Sequence, residues 1–272
     1  APPDAFAAMA GPALQAIVTL GRRTAEFHLA LAEEKKNPAF KPEKATATYT
    51  QQLAEAVTRQ IQEALAILTA KSANLPPGPG ADACRRILFE APSLLERVGG
   101  IALIGEKLGH RIRHHGDYHL GQVLLTEAND FIILDFEGEP LRPLSQRRSK
   151  GSPLKDVAGM IRSFHYAALT GLSMKAGENE KKNKLLPWAR AWYEWMSSVF
   201  MGAYFATAAG APFLPAAETD FILEIFLLEK IFYELNYELN NRPDWVHIPL
   251  AGIIDIIGNN KTGKEGQHET NH

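Results

Sequence analysis

The sequence has one cysteine, Cys84. That excludes an internal disulfide and any zinc site built on several thiolates, and it makes a reducing cytoplasm the expected compartment. Charge of one sign is not in excess: 29 basic against 31 acidic side chains leave a formal net charge of −2. No global basic field would draw nucleic acid or an acidic membrane. The opening APPDAFAAMAGP lacks a basic start followed by a long apolar run, so no targeting segment is read there. It also lacks an initiator methionine, so the chain is read as part of something larger. The stretch from Met196 to Ala217 carries no charge and is long enough to span a bilayer. Ser197, Ser198, Gly202, Gly210, Pro212 and Pro215 interrupt it, and it reads as a buried helix followed by a turn, not a membrane span. What is present is a soluble globular composition. Of 272 residues, 46% are hydrophobic and 22% charged, enough to bury a core without disulfide or metal staples.

Helical spacing dominates the first third. A helix is expected over Leu14 to Glu34, stopped near Asn37-Pro38. Leu53, Val57, Ile61, Leu65 and Leu68 form the apolar stripe of another. The run Leu75-Pro76-Pro77-Gly78-Pro79-Gly80 is a break, and two further helices are predicted over Asp82 to Val98 and Ile101 to Ile112. The texture then changes. Gln122 to Thr126 and Phe131 to Phe136 are apolar runs around Glu127-Ala128-Asn129-Asp130, the pattern of a β-hairpin with turn-forming residues in the middle. Ser152-Pro153 reads as a helix cap with proline at the first helical position. Helical pattern then continues to about Asn240, broken at Lys175 to Lys184 and Gly210 to Pro215; the polar tail 258–272 is expected to be disordered.

Chemistry concentrates at His115-Gly116-Asp117-Tyr118-His119-Leu120-Gly121-Gln122 and at the end of the second strand, Asp135-Phe136-Glu137. In kinase-type phosphoryl transfer a loop Asp accepts the substrate hydroxyl proton, an amide five residues later binds metal, and a second Asp after a short hairpin bridges metal to phosphates. Asp117, Gln122 and Asp135 have that order and spacing. Mg²⁺ suits such a set, since it takes hard oxygen ligands from one or two carboxylates plus waters; Glu137 is a further candidate, direct or through water. The bland alternative makes Asp117 and Asp135 turn and strand-end residues. His110, His114, His115 and His119 contain pairs four apart that would bind zinc on a helix, but Gly116 ends any helix first. His115 is read as a brace of the catalytic loop. Basic residues flank the acidic segments, and Arg148 and Lys150 are candidates for phosphate or loop support, with a solvated charged loop as the alternative. Asp156 lies one turn into the helix after Ser152-Pro153. It either interacts with the helix dipole or anchors the catalytic loop from below.

HGDYHLGQ, FIILDFEGEP and RRSKGSPLKDVAGMIRSFHYAAL, with LGRRTAEFHLAL near the start and LEKIFYELNYELNNRPDWVHIPLAGI near the end, resemble the maltokinase family, which is similar to aminoglycoside phosphotransferases and choline kinases. The resemblance covers about residue 10 to residue 257. It implies a mainly α, protein-kinase-like C-lobe of aminoglycoside phosphotransferase type, with a short β-hairpin carrying the metal site. It also implies ATP- and Mg²⁺-dependent phosphorylation of maltose to maltose 1-phosphate, and a trehalose synthase domain as partner in the same polypeptide. Asp117 would be the base, and Gln122 and Asp135 the metal ligands. Lys230, Tyr233 and Tyr237 share one face of a predicted helix, and the resemblance makes that face the maltose wall. Core tyrosines are the alternative, and Trp188, Trp192 and Trp195 are read as core. A complete maltokinase has a β-rich N-lobe that covers ATP. About 112 mostly helical residues without a glycine-rich phosphate loop precede the catalytic loop here, so the N-lobe is expected to be absent and turnover weak. The domain reading is a helical C-lobe over 1–257, comprising a helical subregion 1–112, the loop and hairpin 113–150, and a helical subregion 151–257. The competing function is a noncatalytic maltose-binding or regulatory module of a trehalose synthase fusion protein.

Overall fold

The structure is a computed structural model that describes residues 4–34, 36–73, 75–139, 142–175 and 179–268. It divides into two compact units, one of Ala1–Thr46 with Glu106–Leu223, the other of Ala47–Gly105 with Glu224–His272.

The first unit begins with α1 (Asp4–Glu33). A two-residue strand β1 (Glu43–Lys44) pairs antiparallel with β2 (His110–Arg111). The hairpin follows as β3 (Val123–Leu125) and β4 (Phe131–Ile133), with Leu124 opposite Ile132. Asn129 turns it at φ 55°, a left-handed conformation that asparagine tolerates. After the short α4 (Leu144–Arg147), the long helices α5 (Leu154–Lys175) and α6 (Asn179–Thr207) pack together, and α6 also packs on α1. Their buried faces carry Leu20, Val157, Ile161, Phe164 and Phe200, with the Phe164 and Phe200 rings edge to face at 5.7 Å. The Ser152 hydroxyl accepts the Leu154 N–H at 3.3 Å, the cap that the Ser-Pro pair announces. The uncharged stretch from Met196 sits on α6 and its following turn, with Met196, Phe200, Tyr204, Ala208 and Phe213 buried. Among the described residues no helix is long and apolar enough to cross a membrane.

The second unit contains α2 (Ala47–Ser72), α3 (Pro79–Gly99), α8 (His247–His268) and the part of α7 (Thr219–Asn241) from Glu224 onward. All five residues of the α2 stripe are buried. The Gln60 amide donates to the Glu229 carbonyl at 2.6 Å, and Arg97 forms a two-pronged ion pair with Glu224, tying α2 and α3 to α7.

Two stretches differ from expectation. Ile101 to Ile112 is not a helix but two 3₁₀ turns leading into β2. Gly105 at φ 53° and Gly109 at φ 86° take left-handed conformations that end helical propagation. At the other end α8 continues from Gly258 through His268, where the sequence reads as a polar tail; the last four residues lie outside the described ones. Trp188 is half-exposed rather than core, whereas Trp192 packs edge to face on Phe164.

One glycine sets the distance between α5 and the loop that carries Tyr118. A Cβ on Gly159 would lie 2.6 Å from the Tyr118 carbonyl oxygen, closer than atoms tolerate. Gly159→Ala is expected to destabilise the protein by about 1–3 kcal/mol through forced separation of helix and loop. A urea midpoint equal to the parent's would show that the loop can yield.

Candidate catalytic site

The loop from Ile112 to Gln122 contains six Arg, His, Asp and Gln side chains and two glycines, yet it does not run free. Ile112, fully buried, exchanges backbone hydrogen bonds with Gly151 at 2.9 and 3.0 Å. Next comes Asp156, 2% exposed in the first turn of α5. Its Oδ2 accepts the His115 N–H at 2.7 Å and the His28 Nε2–H at 3.0 Å, and its Oδ1 accepts the Gly116 N–H at 2.9 Å. Burial by itself pushes this carboxyl up. The nearby His114 imidazole and the His28 donor outweigh it, leaving Asp156 well below the usual carboxylate range. Asp156 thus joins the loop backbone at His115 and Gly116 to the first turn of α5. Gly116, at φ 85°, makes the turn that lets consecutive amides face one carboxylate.

His115, buried, connects the loop to the hairpin. Its Nε2 lies 2.7 Å from the Leu134 carbonyl oxygen, which can only accept, so that nitrogen carries the proton. In the neutral ring, Nδ1 is then the acceptor for the Asp117 N–H at 3.3 Å. One imidazole thus holds Asp117 on one side and the residue preceding Asp135 on the other. The Phe136 ring leans on the same imidazole at 5.6 Å. Gln122 closes a 3₁₀ turn (Leu120–Gln122), its carbonyl accepts the Leu134 N–H at 2.9 Å, and its side-chain amide donates to Asp135 Oδ2 at 3.0 Å. Asp135 sits at φ 58°, a left-handed conformation uncommon for a residue with a side chain and often found at functional sites. The Asp117 carboxylate is half-buried, with His119 Nε2 4.0 Å from its Oδ2.

The other candidates are placed as follows. Glu137 is exposed, 3.9 Å from Arg147. Arg148 is exposed, and its carbonyl accepts from Arg113 at 2.6 Å. Lys150 is directed to the Glu43 carboxylate at 2.6 Å and the Pro38 carbonyl at 2.7 Å. Lys230, Tyr233 and Tyr237 lie in the second unit. There Lys230 stands 4.9 Å over the Tyr233 ring, and Arg242, paired with Glu238 at 2.6 Å, lies over both Tyr237 and Trp245.

Sequence reasoning missed the contribution of α1. Arg23 grips Asp130 at the hairpin turn through two bonds of 2.6 and 2.7 Å, which lower the pKa of the Asp130 carboxyl to about 2. Thr24 meets the Tyr118 hydroxyl at 2.8 Å, and Phe27 packs 5.4 Å from Phe136. Two polar residues four apart, Thr24 and His28, inside a helix with buried apolar neighbours were the available signal.

Asp135 and Gln122 together present hard oxygen donors of the type Mg²⁺ uses. Among the described residues no three His, Cys, Asp or Glu side chains gather as a metal cage.

No family model matches the chain. A glucosamine kinase of Streptacidiphilus jiangxiensis is 26% identical over 251 residues, covering 90% of this chain and 50% of its own length. A glucosamine kinase of Mycolicibacterium smegmatis is 26% identical over 252 residues, with 90% and 55% covered. Among solved structures, glucosamine kinase in complex with glucosamine, ADP and inorganic phosphate superposes with a TM-score of 0.75 at 24% identity, over 93% of this chain and 57% of that one. A further crystal form of glucosamine kinase gives 0.74 at 24%, over 91% and 54%. The chain spans about half the length of the curated relatives it matches.

These likenesses correct several expectations. The relatives are glucosamine kinases, so the maltokinase resemblance does not stand. With it go maltose as acceptor, the fused trehalose synthase domain and the maltose-binding regulatory module. The mainly helical fold is the one seen in glucosamine kinase, which replaces the aminoglycoside phosphotransferase-type C-lobe as its description. The physical reason is that in phosphoryl transfer any attacking hydroxyl needs a proton acceptor and the phosphates need a metal held by oxygen ligands, whichever sugar bears the hydroxyl. The order Asp117, Gln122, Asp135 therefore carries no information about which sugar would supply the hydroxyl.

Proposed function

We propose that this chain carries the hydroxyl-activating and metal-holding part of an ATP-dependent sugar kinase acting on glucosamine. The observation that supports it most is the His115 ring, whose two nitrogens tie the backbone of Asp117 to the strand end that bears Asp135. Asp117 accepts the proton of the attacking hydroxyl. Asp135 and Gln122 would hold Mg²⁺, which neutralises charge on the transferring phosphates when bound; Glu137 is proposed to act through water. Asp156 keeps the loop amides ordered so that the Asp117 carboxylate does not wander. Arg148, exposed, is available to a phosphate. Lys230, Tyr233 and Tyr237 are proposed as sugar contacts of the second unit, with ring faces for the apolar side of the sugar and polar tips for its oxygens.

The decisive experiment incubates the native polypeptide carrying this chain with ATP, Mg²⁺ and either glucosamine or glucose, and follows ADP release and phosphosugar formation. Transfer to glucosamine at least about tenfold faster in kcat/KM than to glucose is expected, a difference of about 1.4 kcal/mol in transition-state binding. Absence of transfer to any amino sugar would sink the reading.

Leu124 and Ile132 face each other across the hairpin and remain 54% and 52% exposed. We assign this apolar pair to the nucleobase. Leu124→Asp is expected to raise the KM for ATP about tenfold, leaving the melting temperature within a degree or so because the side chain is exposed. An unchanged KM would place the base elsewhere.

A further inference from the structure

Helix α1 reaches the catalytic loop from outside it, at two points one helical turn apart. Thr24 is fully buried and its hydroxyl donates to the Leu20 carbonyl at 2.8 Å, so at the 2.8 Å contact between hydroxyls the Tyr118 O–H is the donor. His28, also fully buried, donates from Nε2 to Asp156 and lies 3.0 Å from the Tyr204 hydroxyl through Nδ1. In the neutral ring that nitrogen has only an acceptor's role, so Tyr204 donates to it.

The geometry points to Thr24 and His28 as a pair of positioning residues that bracket the base: Thr24 holds the residue after Asp117, and His28, through Asp156, holds the two residues before it. Neither acts on Asp117 directly. Each removes one freedom of its backbone, and together they set where the carboxylate lies. The His28 bond shares Asp156 Oδ2 with the His115 N–H, while Oδ1 takes the Gly116 N–H. Without His28 the carboxylate keeps its bonds to the His115 and Gly116 amides but loses its tie to α1, so the two amides are held from α5 alone and less firmly. Arg23 and Phe27, on the same stretch of helix, grip the hairpin turn and Phe136, so one helix registers the loop against the metal-bearing strand.

This inference rests on the reading of Asp117 as base, and its test separates the two. Thr24→Val and His28→Leu remove the polar contacts; Thr24→Ser and His28→Gln retain donor and acceptor. In the native polypeptide, T24V and H28L are each expected to lower kcat about 10–100-fold with the sugar KM within about twofold. T24S and H28Q are expected to recover most of the loss. Amide exchange at His115 and Gly116 should quicken in H28L and not in T24V. If T24V and H28L keep the parent kcat, or if T24S and H28Q are as impaired as T24V and H28L, the contacts merely fill space and the proposal falls. T24V, nearly isosteric, keeps the kinetic test available should H28L fail to fold. If the parent transfers no phosphoryl group, the kinase reading falls alone, and the exchange rates in H28L and H28Q still decide whether His28 orders the loop.

Discussion

Asp117→Asn is expected to reduce phosphoryl transfer by about 10²–10⁴-fold while leaving the melting temperature and the sugar KM close to those of the parent. The substitution keeps the shape of the side chain and the backbone bond to His115 Nδ1. It removes the capacity to take a proton. Because the carboxylate is half-buried and its His119 neighbour stands 4.0 Å away, its loss strands no deeply buried charge, and stability should change little. That separation makes the variant informative. If Asp117 were a turn residue, the amide would serve equally well and turnover would survive. Single-turnover transfer, read beside a thermal melt, distinguishes the two.

Asp156→Ala has the largest expected effect on stability, a loss of about 3–5 kcal/mol, because it leaves the buried His28 donor and the His115 and Gly116 amides without their shared acceptor. Asp156→Asn does not repair this. A carboxylate accepts on both oxygens, whereas an amide presents one NH₂ to a neighbour that is itself a donor. The pH dependence follows from the same bonds. The folded carboxyl is depressed, so above the ordinary carboxylate value of about 3.9 both states are ionised and the full contribution is present. As pH falls below about 4, the unfolded chain takes up a proton that the folded chain refuses, and the contribution is progressively lost. Urea midpoints between pH 7 and pH 3 should therefore fall more steeply in the parent than in Asp156→Ala. Parallel curves would show that Asp156 is not the low-lying group.

Much of the local structure was legible. The α2 stripe, the proline-glycine break and the Ser152-Pro153 cap each state a short-range rule that the chain obeys, because helix and turn geometry depend on residues within a few positions of one another. The hairpin and the order Asp117, Gln122, Asp135 belong to the same class: a loop, a tight pairing and a return lie within twenty residues. Where the reading went astray, the deciding information was elsewhere. The expected helix after Ile101 is interrupted by two glycines in left-handed conformations; at Gly109, the backbone of Leu214 lies where a Cβ would stand. The acceptor sugar is not encoded in the loop, whose chemistry would serve any hydroxyl.

The sequence by itself determined which residue types could accept a proton and ligate a metal, and in what order they follow one another. Tertiary structure alone decided that α1 meets the loop and the hairpin turn. Thr24 lies 94 residues from Tyr118 and His28 lies 128 residues from Asp156. Nothing in local propensity encodes such pairs. They exist because a buried polar group must find a partner, and only the packing of α1 within its unit determines which one it meets.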